Sequence, residues 1–317
     1  MEYHSLHQLA LSLGFCDAAL CSAADFHAQQ LLVFSQPPLS ERKQLRYSPS
    51  QDDERISSLL VLLWPYRQHA SVDGELFIDS YYQASNAAYH AAKVMEAHLS
   101  EEGIYAKANT PYPAKEAAVR AGLGYIGHNS LFYHRIFGSR VVIILVATSL
   151  NAPSVSAECE KQTCIGCLRC VKSCPSGAID EHGMSHPERC LRNFMMEGIV
   201  VPKELRRAMG NRLLGCDVCQ RVCPMQSGNE ASHSGWKLDD FLTNDTSVFS
   251  AQIARLGSQI GRNTARPQRV RAQAALLCGN IGKKAHLPVL RKWADSEFEA
   301  VRTHALWAIC EIEAKHE

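Results

Sequence analysis

TCIGCLRCVKSCPSGAI, residues 163–179, sets four cysteines within eleven positions and closes the run on Cys174-Pro175. The spacing C-x2-C-x2-C-x3-C-P is that of bacterial iron–sulfur proteins, in which the fourth cysteine ligates a different cluster from the first three. Two-residue gaps let one loop hold three corners of a 4Fe–4S cubane, here Cys164, Cys167 and Cys170. The fourth corner must come from elsewhere. GCDVCQRVCP, residues 215–224, has C-x2-C-x3-C-P, a second run that lacks its first ligand. Cys190 stands between the runs and completes it. The two proline-marked endings imply a crossed assignment: Cys164, Cys167, Cys170 and Cys223 on one cluster, and Cys174, Cys190, Cys216 and Cys219 on the other.

The rest of the composition agrees with a metal site. Nine of the thirteen cysteines lie between 159 and 223, whereas disulfide frameworks belong to small exported domains. Structural zinc also uses CxxC pairs, but it does not call for two reciprocal Cys-Pro endings. Cys159 reads as a spare, and Cys16, Cys21, Cys278 and Cys310 lie in apolar contexts that suit core positions. At 317 residues, 46% hydrophobic and 21% charged, the chain is long enough for two domains or one with appendages, and can bury a sizeable core. Its net charge of +1 leaves any nucleic-acid contact to local clusters. The longest apolar run, VVIILVA at 141–147, suits a strand rather than a membrane span. MEYHSLHQLALSLGF at the start lacks the pattern of a signal peptide. We expect a cytoplasmic protein with no membrane segment.

Along the chain the reading is α+β, with three regions. Residues 1–150 form an α/β domain, 151–228 the cysteine module, and 229–317 a helical region. Within the first, HSLHQLALSLG has helical spacing and stops at Gly14. FCDAALCSA is a short strand, DFHAQQLLVF a helix, and SSLLVLLWPY (57–66) a buried strand. DSYYQASNAAYHAAKVMEAHL (79–99) repeats apolar residues every three to four positions behind Asp79 or Ser80 as N-cap. A strand over 104–108 and a helix over 114–121 lead to AGLGYIG, whose glycines mark a turn. Two strands then flank Phe137-Gly138. Past residue 250, VRAQAALLCGNI (270–281) and VRTHALWAICEI (301–312) match at 31-residue spacing, as in HEAT-type repeats.

The order AGLGYIGHN, FGS before a strand, the first cysteine run with SGAI, the lone Cys190, and MGNRLLGCDVCQRVCP resembles the epoxyqueuosine reductases, from about residue 80 onward. The resemblance implies a nitroreductase-like, corrinoid-binding α/β domain, a ferredoxin-like module with two 4Fe–4S clusters, and C-terminal HEAT-like helices. It further implies cobalamin as cofactor, an external low-potential electron donor, and reduction of an epoxide on a modified base at the wobble position of tRNA. It places Asn109, His128, Asn129 and Asp217 at the corrinoid. Reductive dehalogenases, which share the corrinoid-plus-two-cluster design, are a more distant match.

The chain departs from that family where substrate chemistry should sit. The family's proton-donating aspartate, in an Asp-Thr pair, falls on Asn109-Thr110 after a one-residue gap, or on Ala108 without it. Neither is an acid, and an amide supplies no proton at neutral pH. Gly-Lys-Asn becomes Gly127-His128-Asn129. An arginine-bearing stretch before residue 80 is lacking, and RVVIILVATS lacks the family's glutamate. His128, Tyr105, Tyr112 and Tyr125 are the candidate replacement donors. GRNTARPQRVR (261–271) carries Arg262, Arg266, Arg269 and Arg271 without an acid. This pattern suits phosphate contacts to tRNA, or pairing with Asp295, Glu297 or Glu299. The competing functional reading is an electron-transfer iron–sulfur protein, or a paralogue with another substrate and no cobalamin.

Overall fold

The structure, a computed structural model, describes residues 3–26, 45–68, 72–152, 163–226 and 234–315. Cys159 and most of the helix expected from DFHAQQLLVF lie outside the described residues. Helix α1 (Tyr3–Ser12) leads into strand β1 (Asp17–Ser22), and one turn of helix, α2 (Pro49–Asp52), precedes β2 (Ser58–Pro65). The two-residue strand β3 (Phe77–Ile78) feeds α3 (Tyr81–Glu101), followed by β4 (Ala106–Ala108) and α4 (Ala114–Arg120). A hairpin of β5 (Gly124–Ile126) and β6 (Phe132–His134) precedes β7 (Val141–Thr148). The cysteine region carries α5 (Arg169–Ser173), α6 (Lys203–Arg206), β8 (Arg212–Leu214) and α7 (Val218–Arg221). Helices α8 (Thr246–Ile260), α9 (Pro267–Ile281), α10 (Leu287–Trp293) and α11 (Glu299–Ala314) complete the chain.

The main sheet has the order β1-β2-β7-β4, and each neighbouring pair is antiparallel. Leu59 to Leu63 of β2 are all fully buried, because both faces of the strand are covered. Leu60 and Leu62 meet Leu6 and Ala10 of α1 and the stripe Ala84, Ala88, Ala92, Met95 and Leu99 of α3. Leu59, Val61 and Leu63 meet Ala117 and Ala118 of α4, with Leu123 and Phe132 beyond. Each such leucine contributes about 2 kcal/mol of transfer free energy. The result is a mixed α and β, three-layer arrangement. The turn expected in AGLGYIG falls at Ala121-Gly122, where Gly122 has φ 74°, and strand β5 follows from Gly124. A Cβ at Gly124 would collide with the carbonyl of Tyr133, so glycine here permits a close strand approach rather than a bend.

The third core joins regions far apart in sequence. Leu76 and Ile78 pack with Leu191, Met195, Met209 and Leu213 of the cysteine region, and with Trp236, Phe241 and Phe249 of the helical region. This core runs unbroken across residue 228. β3 pairs in parallel with β8, and Asp79 N–H donates to Leu214 O at 2.8 Å. Asp79 also accepts the Tyr81 N–H at 3.0 Å and so caps α3 from one residue before the geometric N-cap, Ser80. Helix α9 packs along α11, and α10 along α11.

Two substitutions test this account. His304 on α11 is buried, its Nδ1 2.9 Å from Ala272 O and its Nε2 accepting the Val201 N–H at 3.0 Å. Burial pushes its pKa down to about 4, against about 6.5 in an unfolded chain. The unfolded state therefore takes up the proton first. The stability contributed is full above about pH 6.5 and declines as pH falls toward 4, by about 3 kcal/mol in all. Thermal melts between pH 7 and 5 should show that slope in the native protein and a shallower one in His304→Asn. Gly215 has φ +84°, and a Cβ there would strike the Asp79 side chain. Gly215→Ala should lower stability by roughly 2 kcal/mol or more, read as a lower melting temperature at pH 7.

Candidate metal centre

The cysteine side chains sort into groups that do not follow the two runs. The Cys170 thiol is raised by burial and then by Cys164 and Cys223. Tyr125, stacked on Tyr133 with ring centroids 5.5 Å apart, is raised by burial and by Cys223 and Cys164. The β5–β6 hairpin thus covers this group, with Cys167 exposed on the same loop. Cys219 is raised by burial and then by Cys216, Cys190 and Cys174. Burial, with Cys190 among the lesser causes, pushes Cys216 up to about 11. Cys223 therefore lies with Cys164 and Cys170, and Cys174 with Cys190, Cys216 and Cys219. Cys170 also acts on Cys219, so the groups adjoin.

Among the described residues no three His, Cys, Asp or Glu side chains close to the distance of a single bound ion. A polynuclear core sits between its thiolates, and the chemistry of the donors tests the fit. Thiols raised by burial and by each other cannot ionise together without a cationic partner. Backbone amides are nevertheless aimed at them as for thiolates. Ala178 N–H donates to Cys174 Sγ at 3.2 Å, the amides of Arg192 and Asn193 to Cys190, and that of Val218 to Cys216. This donor set fits iron–sulfur cores, whose sulfurs take such bonds.

A buried polar seam fastens the module to the sheet domain. Gln68 donates to Asp79 at 2.9 Å and accepts the Ser80 N–H at 2.9 Å. Asp217 is 3% exposed, and its carboxyl is raised by burial, while Arg221 Nε at 2.5 Å opposes the shift. Gln220 Nε2 donates to Ser139 O at 3.3 Å, and Ser139 Oγ donates to Gln226 at 2.7 Å.

The residues expected at a corrinoid scatter along this seam. Asn129 is buried; its Nδ2 donates to Tyr133 OH at 2.9 Å and to Cys219 O at 3.4 Å. Asp217 is committed to Arg221. His128 Nε2 lies 3.0 Å from Asp180 O. Asn109 stands apart, exposed, with φ 58°. Next to it Thr110 Oγ1 is buried, with no hydrogen-bond partner among the described residues. A strained residue beside an orphaned hydroxyl fits a turn that a ligand completes. Of the candidate donors, Tyr105 gives its hydroxyl to Asp53 Oδ2 at 3.0 Å. Tyr112 is buried, and its pKa is raised by burial and by Asp52.

Arg262 and Arg266 are exposed at the approach to α9. Arg271 instead lays its guanidinium 4.3 Å from the Phe249 ring centroid. Among the described residues none of Arg262, Arg266, Arg269 and Arg271 pairs with Asp295, Glu297 or Glu299. The sequence reading missed Arg192, which stacks on Tyr81 and Tyr82, and Lys115. The Tyr81-Tyr82 doublet was the one visible signal, since Arg192 meets it across 110 residues of chain.

Comparison with known proteins places this geometry. The family described as a 4Fe-4S double cluster binding domain matches residues 163–226. An epoxyqueuosine reductase of Lactococcus garvieae is 30% identical over 211 residues, 63% of this chain and 58% of its own length. One from Vibrio cholerae is 38% identical over 117 residues, 37% of this chain and 31% of its own. The matched segments thus span less than two thirds of these relatives. Among solved structures, a selenomethionine-labelled epoxyqueuosine reductase superposes with TM-score 0.79 at 21% identity, covering 98% of this chain and 90% of that one. An epoxyqueuosine reductase with a tRNA-Tyr epoxyqueuosine-modified stem loop gives the same TM-score and identity, covering 98% and 89%. No helix among the described residues is long and apolar enough to cross a membrane. The chain is therefore a homologue of the epoxyqueuosine reductases, with their fold and a double 4Fe–4S binding domain.

Proposed function

We propose that the chain is an iron–sulfur reductase of the epoxyqueuosine reductase type. In this reading Cys164, Cys167, Cys170 and Cys223 ligate one 4Fe–4S cluster, and Cys174, Cys190, Cys216 and Cys219 the other. The observation that carries it is the exchange of proline-flanked cysteines, each runs' last thiol lying among those of the other. Residues 1–150 form a corrinoid-binding domain, 151–228 the cluster module, and 229–317 a HEAT-like region. Cobalamin, when bound, supplies a cobalt centre for reductive chemistry that thiols and carboxylates cannot perform. Asn109 and His128 are its contacts from this chain, and the turn at Thr110 offers it an unsatisfied hydroxyl. Asn129 and Asp217 act behind them: Asn129 holds Tyr133 against the first cysteine group, and Asp217 anchors α7, which carries Cys219.

The substrate in this reading is an epoxide on a modified tRNA base, with electrons from an external low-potential donor. Arg262, Arg266 and Arg269 present charge to the RNA backbone, with Arg271 held on Phe249 behind them. The second reading is a paralogue acting on a different substrate. One observation favours it: Asn109 stands at the position of the family's acid, and the carboxylate beside it, Glu96, is taken up by the Ala108 N–H and Lys93.

Protein prepared anaerobically with added cobalamin should contain about eight irons and about one cobalt per chain. Paramagnetic resonance should show Co(II) in a base-off state. Iron without cobalt would overturn the corrinoid reading and leave an electron-transfer protein. With epoxyqueuosine-containing stem-loop RNA as substrate, Asn109→Asp should raise turnover by roughly a hundredfold, the scale of one positioned general acid. An unchanged rate would assign the proton to another group.

A further inference from the structure

From Thr246 to Ala294 the chain has no Asp or Glu and nine Lys and Arg, in a protein whose net charge is +1. That run covers α8, α9 and α10, and a region of one sign attracts a polyanion. Within it the turn from α8 to α9 presents the charge: Arg262 and Arg266 are exposed, and among the described residues neither has an acidic partner. This turn is seated on α3, which packs along α8. Asn86 Nδ2 donates to Ser258 O at 3.4 Å, and a Cβ at Gly261, the residue before Arg262, would lie 3.5 Å from Asn86 Oδ1. Helix α3 carries no acid of its own from Tyr81 to Met95.

One face of α3 leads from the basic turn to the turn at Asn109. Asn86, Tyr89, Lys93 and Glu96 follow one another at three- and four-residue steps, so they share a stripe of the helix. At its far end Glu96 pairs with Lys93 at 2.6 Å and accepts the N–H of Ala108, the residue before Asn109, at 2.7 Å. The ten-residue step from Asn86 to Glu96 covers about 15 Å along the helix axis. Tyr89 stands between the two contacts, 39% exposed, with the His90 ring beside it at a centroid distance of 5.4 Å. Tyr89 belongs to none of the three cores, and α3 packs on the sheet through the separate stripe from Ala84 to Leu99. The fold therefore makes no use of an aromatic ring at this position.

We propose that Tyr89 is a stacking platform for an unpaired base of an RNA whose backbone is held at Arg262 and Arg266. Arginines at the turn grip phosphates without regard to sequence, whereas bases splayed out of a loop stack on exposed aromatic rings. A strand gripped at the α8–α9 turn that delivers a nucleotide to the Asn109 turn crosses the α3 surface between them, and Tyr89 is the ring it meets there. This inference rests on the RNA substrate proposed above and adds the surface that guides it.

Fluorescence anisotropy of a labelled, unmodified stem-loop RNA titrated with the iron-loaded protein is the test. Tyr89→Ala should weaken binding by roughly ten- to a hundredfold, while Tyr89→Phe, which keeps the ring, should bind like the native protein. The slope of log affinity against log salt should be unchanged in Tyr89→Ala and shallower by about one in Arg262→Gln. A blunt duplex of the same stem, which offers no unpaired base, should bind Tyr89→Ala and the native protein alike. Native-like binding of the stem loop by Tyr89→Ala overturns the proposal and leaves the RNA reading standing. So does an equal loss in Tyr89→Phe, or an equal loss on the duplex. Failure of the native protein to bind the stem loop overturns both.

Discussion

Everything in this fold hangs on the difficulty of bringing buried thiols together. Cys170, Cys216 and Cys219 are each pushed up by burial and by neighbouring thiols, so the groups repel as thiolates unless a cationic core lies among them. Because the last cysteine of each run sits with the other run, neither group closes without both. Two short loops 40 to 60 residues apart must therefore arrive together. The surrounding structure looks like the apparatus for that meeting. The β3–β8 pairing, the third core and the seam from Gln68 to Gln226 all join the cysteine region to elements distant in the chain.

The seam also relates the module to the sheet domain. Asp79 caps α3, supports β8 and sits against Gly215, one residue before Cys216. Movement of α3 would therefore be felt at the second cysteine group. Tyr81 and Tyr82, the first residues of α3, hold Arg192, which follows Cys190. One helix start thus bears on two cysteines.

Much of this was legible in the sequence, for definite reasons. The stripe from Ala84 to Leu99 is a plain helical repeat, and the Ser58–Pro65 strand is an unbroken apolar run, because each signal is local. Of the glycines in AGLGYIG, Gly122 makes the expected turn, whereas Gly124 marks a close approach to Tyr133, and glycine alone does not distinguish the two. The cysteine runs announce themselves by spacing. The seam does not, since Gln68, Asp79, Ser139 and Asp217 are single polar residues whose meaning arises only when folding brings them together. Arg192 was hidden for the same reason.

The central claim is the crossed arrangement of the cysteines around two cores, and an iron-edge anomalous difference map from anaerobically grown crystals tests it most directly. The account predicts two separate peaks. One would lie against Cys164, Cys167, Cys170 and Cys223, the other against Cys174, Cys190, Cys216 and Cys219. A single peak, or Cys174 and Cys223 each bound with their own run, would contradict it.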